Sequence, residues 1–167
     1  ACFYAAVILA ASRRLPARGL ILLAAVGASA LRGRSRSPAL LGVTGVLALT
    51  FISPLCALSS ALFTARTLHH LLLLFAAAPL LALSLPRLKA PRLAMATAVQ
   101  AMVFWAWHTP DLYAAALSSD AVYWLMQVTV LGSAVWFWGA VRASNAPAAV
   151  AGLLAAMLLM GLLGALL

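Results

Sequence analysis

The chain is a succession of long apolar runs with almost no charge inside them. Its 167 residues carry 11 Lys or Arg and 2 Asp or Glu, so 8% are charged, against about a quarter in a soluble domain. Residues 67–85, 93–108, 121–141 and 147–167 contain no fixed charge. They approach or reach the ~20 residues that cross a hydrocarbon core of ~30 Å. In lipid every backbone group must be satisfied within the spanning structure, which leaves a helix bundle or a closed barrel. These runs are rich in Leu and Ala, do not alternate with period two, and exceed the ~10 residues of a barrel strand. The expected fold is all-α: a polytopic integral membrane helix bundle of about six transmembrane helices.

Residues 1–11 and 20–31 are apolar but short, and Ser12-Arg13-Arg14-Leu15-Pro16-Ala17-Arg18 separates them. Residues 1–31 therefore form N-terminal apolar segments of open topology, distinct from a bundle over 32–167. No basic region precedes the first run, which is unlike a secretory signal. The absent initiating Met and the apolar close at Leu167 read as processed or truncated ends. A basic loop, 32–38, leads to a helix over 39–53 that Pro54 ends. Residues 54–64 read as a connection, and 67–85 as a span kinked at Pro79. A second basic loop, 86–92, precedes a span over 93–108. Residues 113–120 read as a small loop with at most one helical turn. Spans over 121–141 and 147–167 follow, joined by a turn at 142–145.

The net charge is +9 with a pI near 11.4. In a soluble chain that balance would point to nucleic acid. Here the bases sit in short loops, where they set topology and meet lipid headgroups, so the expected partner is the bilayer and not nucleic acid. Arg32, Arg34, Arg36, Arg87, Lys89, Arg92 and Arg142 fall on one side, and Arg66 on the other, joined by Arg13, Arg14 and Arg18 if the first segment spans. The positive-inside rule places the first set in the cytoplasm. Trp105, Trp107 and Trp124 then belong to an outer aromatic belt, and Trp136 and Trp138 to an inner one. Cys56, Arg66, His69, His70, His108 and Asp111 fall on the outer face.

Thiolate, thioether and imidazole ligands suit copper. Cys56, His70 and His108 form the candidate metal set, with Met102 or Met126 as a weak further ligand. Plainer roles stand beside this one. A histidine at a helix end can satisfy a carbonyl, and a lone cysteine behaves as a small buried hydrophobe. Arg66 and His70, four apart, share a helix face, whereas His69 lies about 100° round from His70. Asp111, after Pro110, can cap a helix start or hold a histidine tautomer. Two transmembrane histidines can ligate a b-type haem, but no second pair exists. Cys2 and Cys56 are far apart and form no CxxC motif. With no nucleophile motif, P-loop or intramembrane carboxylate pair, the chain does not read as an enzyme.

Several ordered motifs resemble those of the CtaG-type cytochrome c oxidase assembly factor family of bacterial membrane proteins. Ser53-Pro54-Leu55-Cys56-Ala57-Leu58 is similar to its Ser-Pro-Leu-Asp-Ala-Leu element. Residues 63–73, with His70 before a leucine run, resemble its His-x-x-x-His segment. Trp107-His108-Thr109-Pro110-Asp111-Leu112-Tyr113 resembles Trp-His-x-Pro-x-Leu-Tyr. Trp136-Phe137-Trp138 and residues 160–167 resemble later elements, so the likeness runs from about residue 31 to the end. It departs where the family carries ligands. Arg66, Tyr123, Gln127 and Leu159 occupy positions of family histidines, and Cys56 that of an aspartate; only His70 and His108 match. The resemblance implies a multi-pass protein of the bacterial inner (plasma) membrane whose partners are haem–copper oxidase subunits. It would act as an assembly factor or stably retained accessory subunit, mainly by protein contact. The alternative it implies is a copper-binding chaperone using Cys56, His70 and His108, with copper as its cofactor or cargo.

Overall fold

A computed structural model describes residues 38–51, 63–85 and 92–166. Among these residues every regular element is a helix, and none is a strand. The chain divides into two compact units, Ala1–Ser84 and Leu85–Leu167, each with its own packing. Of the connection expected over 54–64, residues 54–62 lie outside the described residues, as do the N-terminal segments 1–31, and Phe63 and Thr64 already belong to a helix.

In the first unit, α1 (Pro38–Phe51) opens on a proline, which a first helical turn accepts because its N–H would be unsatisfied there anyway. Val43, Leu47, Thr50 and Phe51 are buried along one side, while Leu41 and Leu49 are exposed on the other. α2 (Phe63–Leu72), a π-helical turn (Leu73–Ala77) and α3 (Ala78–Ser84) follow one another without a break. The span Thr64–Ser84 is long and apolar enough to cross a membrane. α1 packs along the π turn and α3. Gly42 makes the approach possible: a Cβ there would stand 3.2 Å from Leu80 Cδ1.

The sequence predicts a kink at Pro79, and the structure places the irregularity one turn earlier. Pro79 has no N–H to donate, and its ring crowds the carbonyl four residues back, that of Phe75. The wide turn over Leu73–Ala77, in which Ala78 N–H reaches back to Leu73 O, reroutes the backbone ahead of that clash.

The second unit holds α4 (Leu93–Trp107), α5 (Pro110–Ser118), α6 (Asp120–Ala143) and α7 (Ala146–Leu166). α4 packs chiefly on α6 and α7, and α5 lies on α6. Residues 113–120, expected as a loop, are largely helical. Pro110 stands at the start of α5, Asp111 in its first turn and Thr109 in extended conformation just before it. These are ordinary helix-start signals, but nine residues do not span and so leave no apolar run to notice. α6 also outlasts its expected end at Val141 and reaches Ala143, with Arg142 in the last turn, where a cation suits the helix dipole. The turn shrinks to Ser144 and Asn145, and Asn145 Oδ1 accepts the Ala148 N–H at 3.0 Å to cap α7.

Among the described residues three helices are long and apolar enough to cross a membrane: Thr64–Ser84, Asp120–Ala143 and Ala146–Leu166; Leu41–Phe51 and Leu93–Trp107 are shorter apolar helices. α7 buries Gly152, Ala156 and Leu163 and exposes Leu154, Met157, Leu158, Leu162 and Leu166. Such an outward apolar face is one that lipid solvates.

Gly152 sets how closely α7 meets α4, because a Cβ there would lie 2.8 Å from Leu93 Cδ2 and 3.0 Å from its Cγ. At Gly161 the same atom would meet nothing within 4 Å. Gly152→Leu should therefore lower the melting midpoint in detergent by on the order of 5 °C, as overpacking does, while Gly161→Ala leaves it unchanged or raises it. Tryptophan fluorescence during thermal denaturation measures both.

Candidate functional site

The two adjacent histidines of α2 have different surroundings. His69 is 1% exposed and belongs to the stripe His69, Leu73, Ala77, four residues apart, that faces the interior of its unit. Its ring meets that of Phe51 on α1 edge to face at 5.3 Å, an arrangement aromatic quadrupoles favour. His70, half-buried, points elsewhere, and its Nδ1 lies 3.1 Å from the Arg66 carbonyl oxygen. The sequence separates the two histidines by face. Four-residue spacing does not tell which one is core, because Leu74 and Ala78, also buried, stand in the same register to His70 as Leu73 and Ala77 do to His69.

His108 ends α4 as its C-cap. Its Nδ1 lies 2.7 Å from the Phe104 carbonyl oxygen, and its ring is 4.5 Å from that of Phe104, tilted by 39°. Thr109 Oγ1 donates to Ala106 O at 2.8 Å and the His108 backbone N–H to Trp105 O at 3.0 Å. The last carbonyls of α4, which no helical N–H can reach, thus find partners. Asp111 is exposed in the first turn of α5 and makes no hydrogen bond to His108. Of its two expected roles, the structure places it at the helix start, and a backbone carbonyl holds the imidazole.

His70 and His108 therefore share one device. A carbonyl oxygen only accepts, so in each ring Nδ1 carries the proton and Nε2 the lone pair. That is the tautomer a metal-ligating histidine adopts, with its other nitrogen donating to a carbonyl. The donor chemistry suits copper at both residues. Cys56 lies outside the described residues, and His70 and His108 belong to different units. Among the described residues no group of three or more His, Cys, Asp or Glu is placed to hold a metal ion. Of the methionines expected as weak ligands, Met126 is buried in the second unit and Met102 is 63% exposed.

At the positions where the resemblance expects histidine, the second unit carries side chains in differing surroundings. Gln127 is 3% exposed on α6. Leu159 turns its side chain outward, while its carbonyl accepts the indole N–H of Trp105 at 3.1 Å. Trp107 Nε1 donates to Thr129 Oγ1 at 2.9 Å. The sequence assigned Trp105 and Trp107 to an interfacial belt; the structure uses their N–H groups to tie α4 to α7 and α6, fixing the helix end that carries His108. Tryptophan is rarely that specific in sequence, because either role buries the ring body and needs one acceptor.

Thr129 Oγ1 also donates back to Leu125 O and Met126 O, at 2.8 and 3.0 Å, so Trp107→Phe leaves it satisfied. That variant should lose about 1 kcal/mol, the net worth of one hydrogen bond. Thr129→Val orphans the indole N–H instead. In a double-mutant cycle read by thermal or denaturant unfolding, the two substitutions should be coupled, the pair costing less than their sum.

No curated protein and no solved structure matches the chain. Residues 89–167 match the family described as Cytochrome c oxidase caa3 assembly factor (Caa3_CtaG), a stretch that takes in α4 to α7. The motif around His108 falls inside it and the His70 segment before it. Over residues 89–167, just under half of its length, the chain is similar to the Caa3_CtaG cytochrome c oxidase assembly factor family.

Proposed function

We propose that the protein acts in the assembly of a bacterial haem–copper cytochrome c oxidase as a multi-pass protein of the inner membrane. It works mainly by contact with oxidase subunits, as an assembly factor or a stably retained accessory subunit. The observation that carries this reading is the family match over 89–167, taken with what stands at the resemblance's ligand positions. Tyr123, Gln127 and Leu159 occupy three of them in that stretch and Arg66 a fourth before it. None is a copper ligand of the imidazole or thiolate kind, and a guanidinium repels a nearby cation. The described helices, with the apolar segments of residues 1–31, support a bundle of about six spans. The role is non-catalytic.

A second reading has its own support. His70 and His108 both present Nε2 as the lone-pair nitrogen because Nδ1 is held by a carbonyl. With Cys56 they could receive copper as cargo on a chaperone's route to the oxidase. Two experiments separate the readings. Affinity purification from membranes should recover oxidase subunits with the protein under the contact reading, at equal stoichiometry if it is retained; their absence overturns it. Titration with Cu(I) should show no binding at one equivalent. Binding at one equivalent that is lost in both His70→Ala and His108→Ala would instead establish the chaperone reading.

A further inference from the structure

Gln100 lies in the middle of α4, is 2% exposed, and its Oε1 is fully buried with no hydrogen-bond partner. An amide oxygen left bare in an apolar interior costs several times what an ordinary hydrogen bond returns. Its place in the unit follows from spacing. Leu93, Gln100 and Trp107 are seven residues apart and lie on nearly one stripe of the helix. Leu93 meets Gly152 of α7, and Trp107 bonds Thr129 of α6. Gln100 thus sits between these two contacts, on the side of α4 that its own unit covers.

Three polar side chains of α4 and α6 have spent their protons on other acceptors. Thr97 Oγ1 donates to Leu93 O at 2.9 Å, Ser133 Oγ to Val130 O at 3.1 Å, and Trp107 Nε1 to Thr129 Oγ1. None of these protons goes to Gln100 Oε1, and each hydroxyl oxygen keeps lone pairs that can accept. A small guest that donates would satisfy that amide oxygen. A cation could also be taken by oxygen ligands, but α4, α6 and α7 have no carboxylate along their interior to balance it, and an unpaired charge at that depth is far more costly than a neutral guest. Water has two protons to give, can accept in turn, and needs two to four polar partners.

We propose that the second unit holds a structural water on Gln100 Oε1, sealed between α4 and its neighbours. The proposal is independent of the oxidase reading.

Gln100 and Gln127 are the only glutamines in the chain, so labelling glutamine side chains and alanine backbone amides with 15N gives two side-chain amide pairs beside the alanine reference signals in the full-length protein in micelles. Gln100→Leu removes one pair and assigns it; should that variant fail to fold, Gln127→Leu assigns the other. The expected result is magnetisation transfer from water to the Gln100 amide several-fold above that to the backbone amide of the fully buried Ala96, unchanged by swapping sodium for potassium or N-methylglucamine. Transfer no stronger than at Ala96 means a dry site and overturns the proposal. A Gln100 signal that shifts with the cation present means an ion and overturns it as well.

Discussion

The carbonyl oxygen three or four residues back is the partner on which most polar side chains in these helices depend. Thr50, Ser84, Thr97, Thr129, Ser133 and Ser144 all donate to such a carbonyl, and His70 and His108 do so through Nδ1. In a chain this apolar no solvent is at hand to take a hydroxyl proton, and the helix itself supplies the acceptor. A polar residue satisfied in this way needs no second helix, so its presence alone says little about function. A glutamine amide is longer and carries donors as well as an acceptor, which is why Gln100 stands out against the serines and threonines around it.

For the histidines the same bond has two consequences that do not compete. It satisfies a carbonyl near the end of a helix, and it fixes the proton on Nδ1. The structural role and the ligand-ready role are therefore one geometry, and the hydrogen bond cannot choose between them. What chooses is whether other ligands reach Nε2, a question of neighbours. Hence the weight falls on Arg66, Tyr123, Gln127 and Leu159 when the two functional readings are compared.

Much of the helical layout was legible because apolar length is a strong signal. The spans expected over 67–85, 121–141 and 147–167 correspond to Thr64–Ser84, Asp120–Ala143 and Ala146–Leu166, and the one expected over 93–108 to the shorter apolar helix Leu93–Trp107. What escaped was set by local backbone chemistry or by tertiary contact. α5 starts on Pro110 and Asp111 but is too short and too mixed in polarity to read as a run. The π turn answers Pro79 from the preceding turn, and sequence marks only the proline. The indole bonds of Trp105 and Trp107 depend on which helices meet, which no spacing within α4 reveals. The candidate site was legible as residue types, and the structure added the tautomer of His70 and His108 and the burial of His69.

The contacts that hold the second unit together bypass the positions where ligands are missing. α4 meets α7 through Leu93 against Gly152 and through Trp105 on a backbone carbonyl. It meets α6 through Trp107 on Thr129. The bond at Leu159 uses the main chain and is indifferent to the side chain there. Gln127 fills a buried place with a neutral amide of about the bulk of an imidazole. Metal binding can contribute folding energy when ligands from several helices converge on it; small-residue packing and indole bonds are the usual means of holding helices in lipid, and both join the helices of this unit. A bundle stabilised in this manner can lose histidines and keep its shape. Scaffold and ligand chemistry are thus separable in this unit: the contacts that join its helices rest on Leu93, Gly152, Trp105, Trp107 and Thr129, and none of them needs an imidazole.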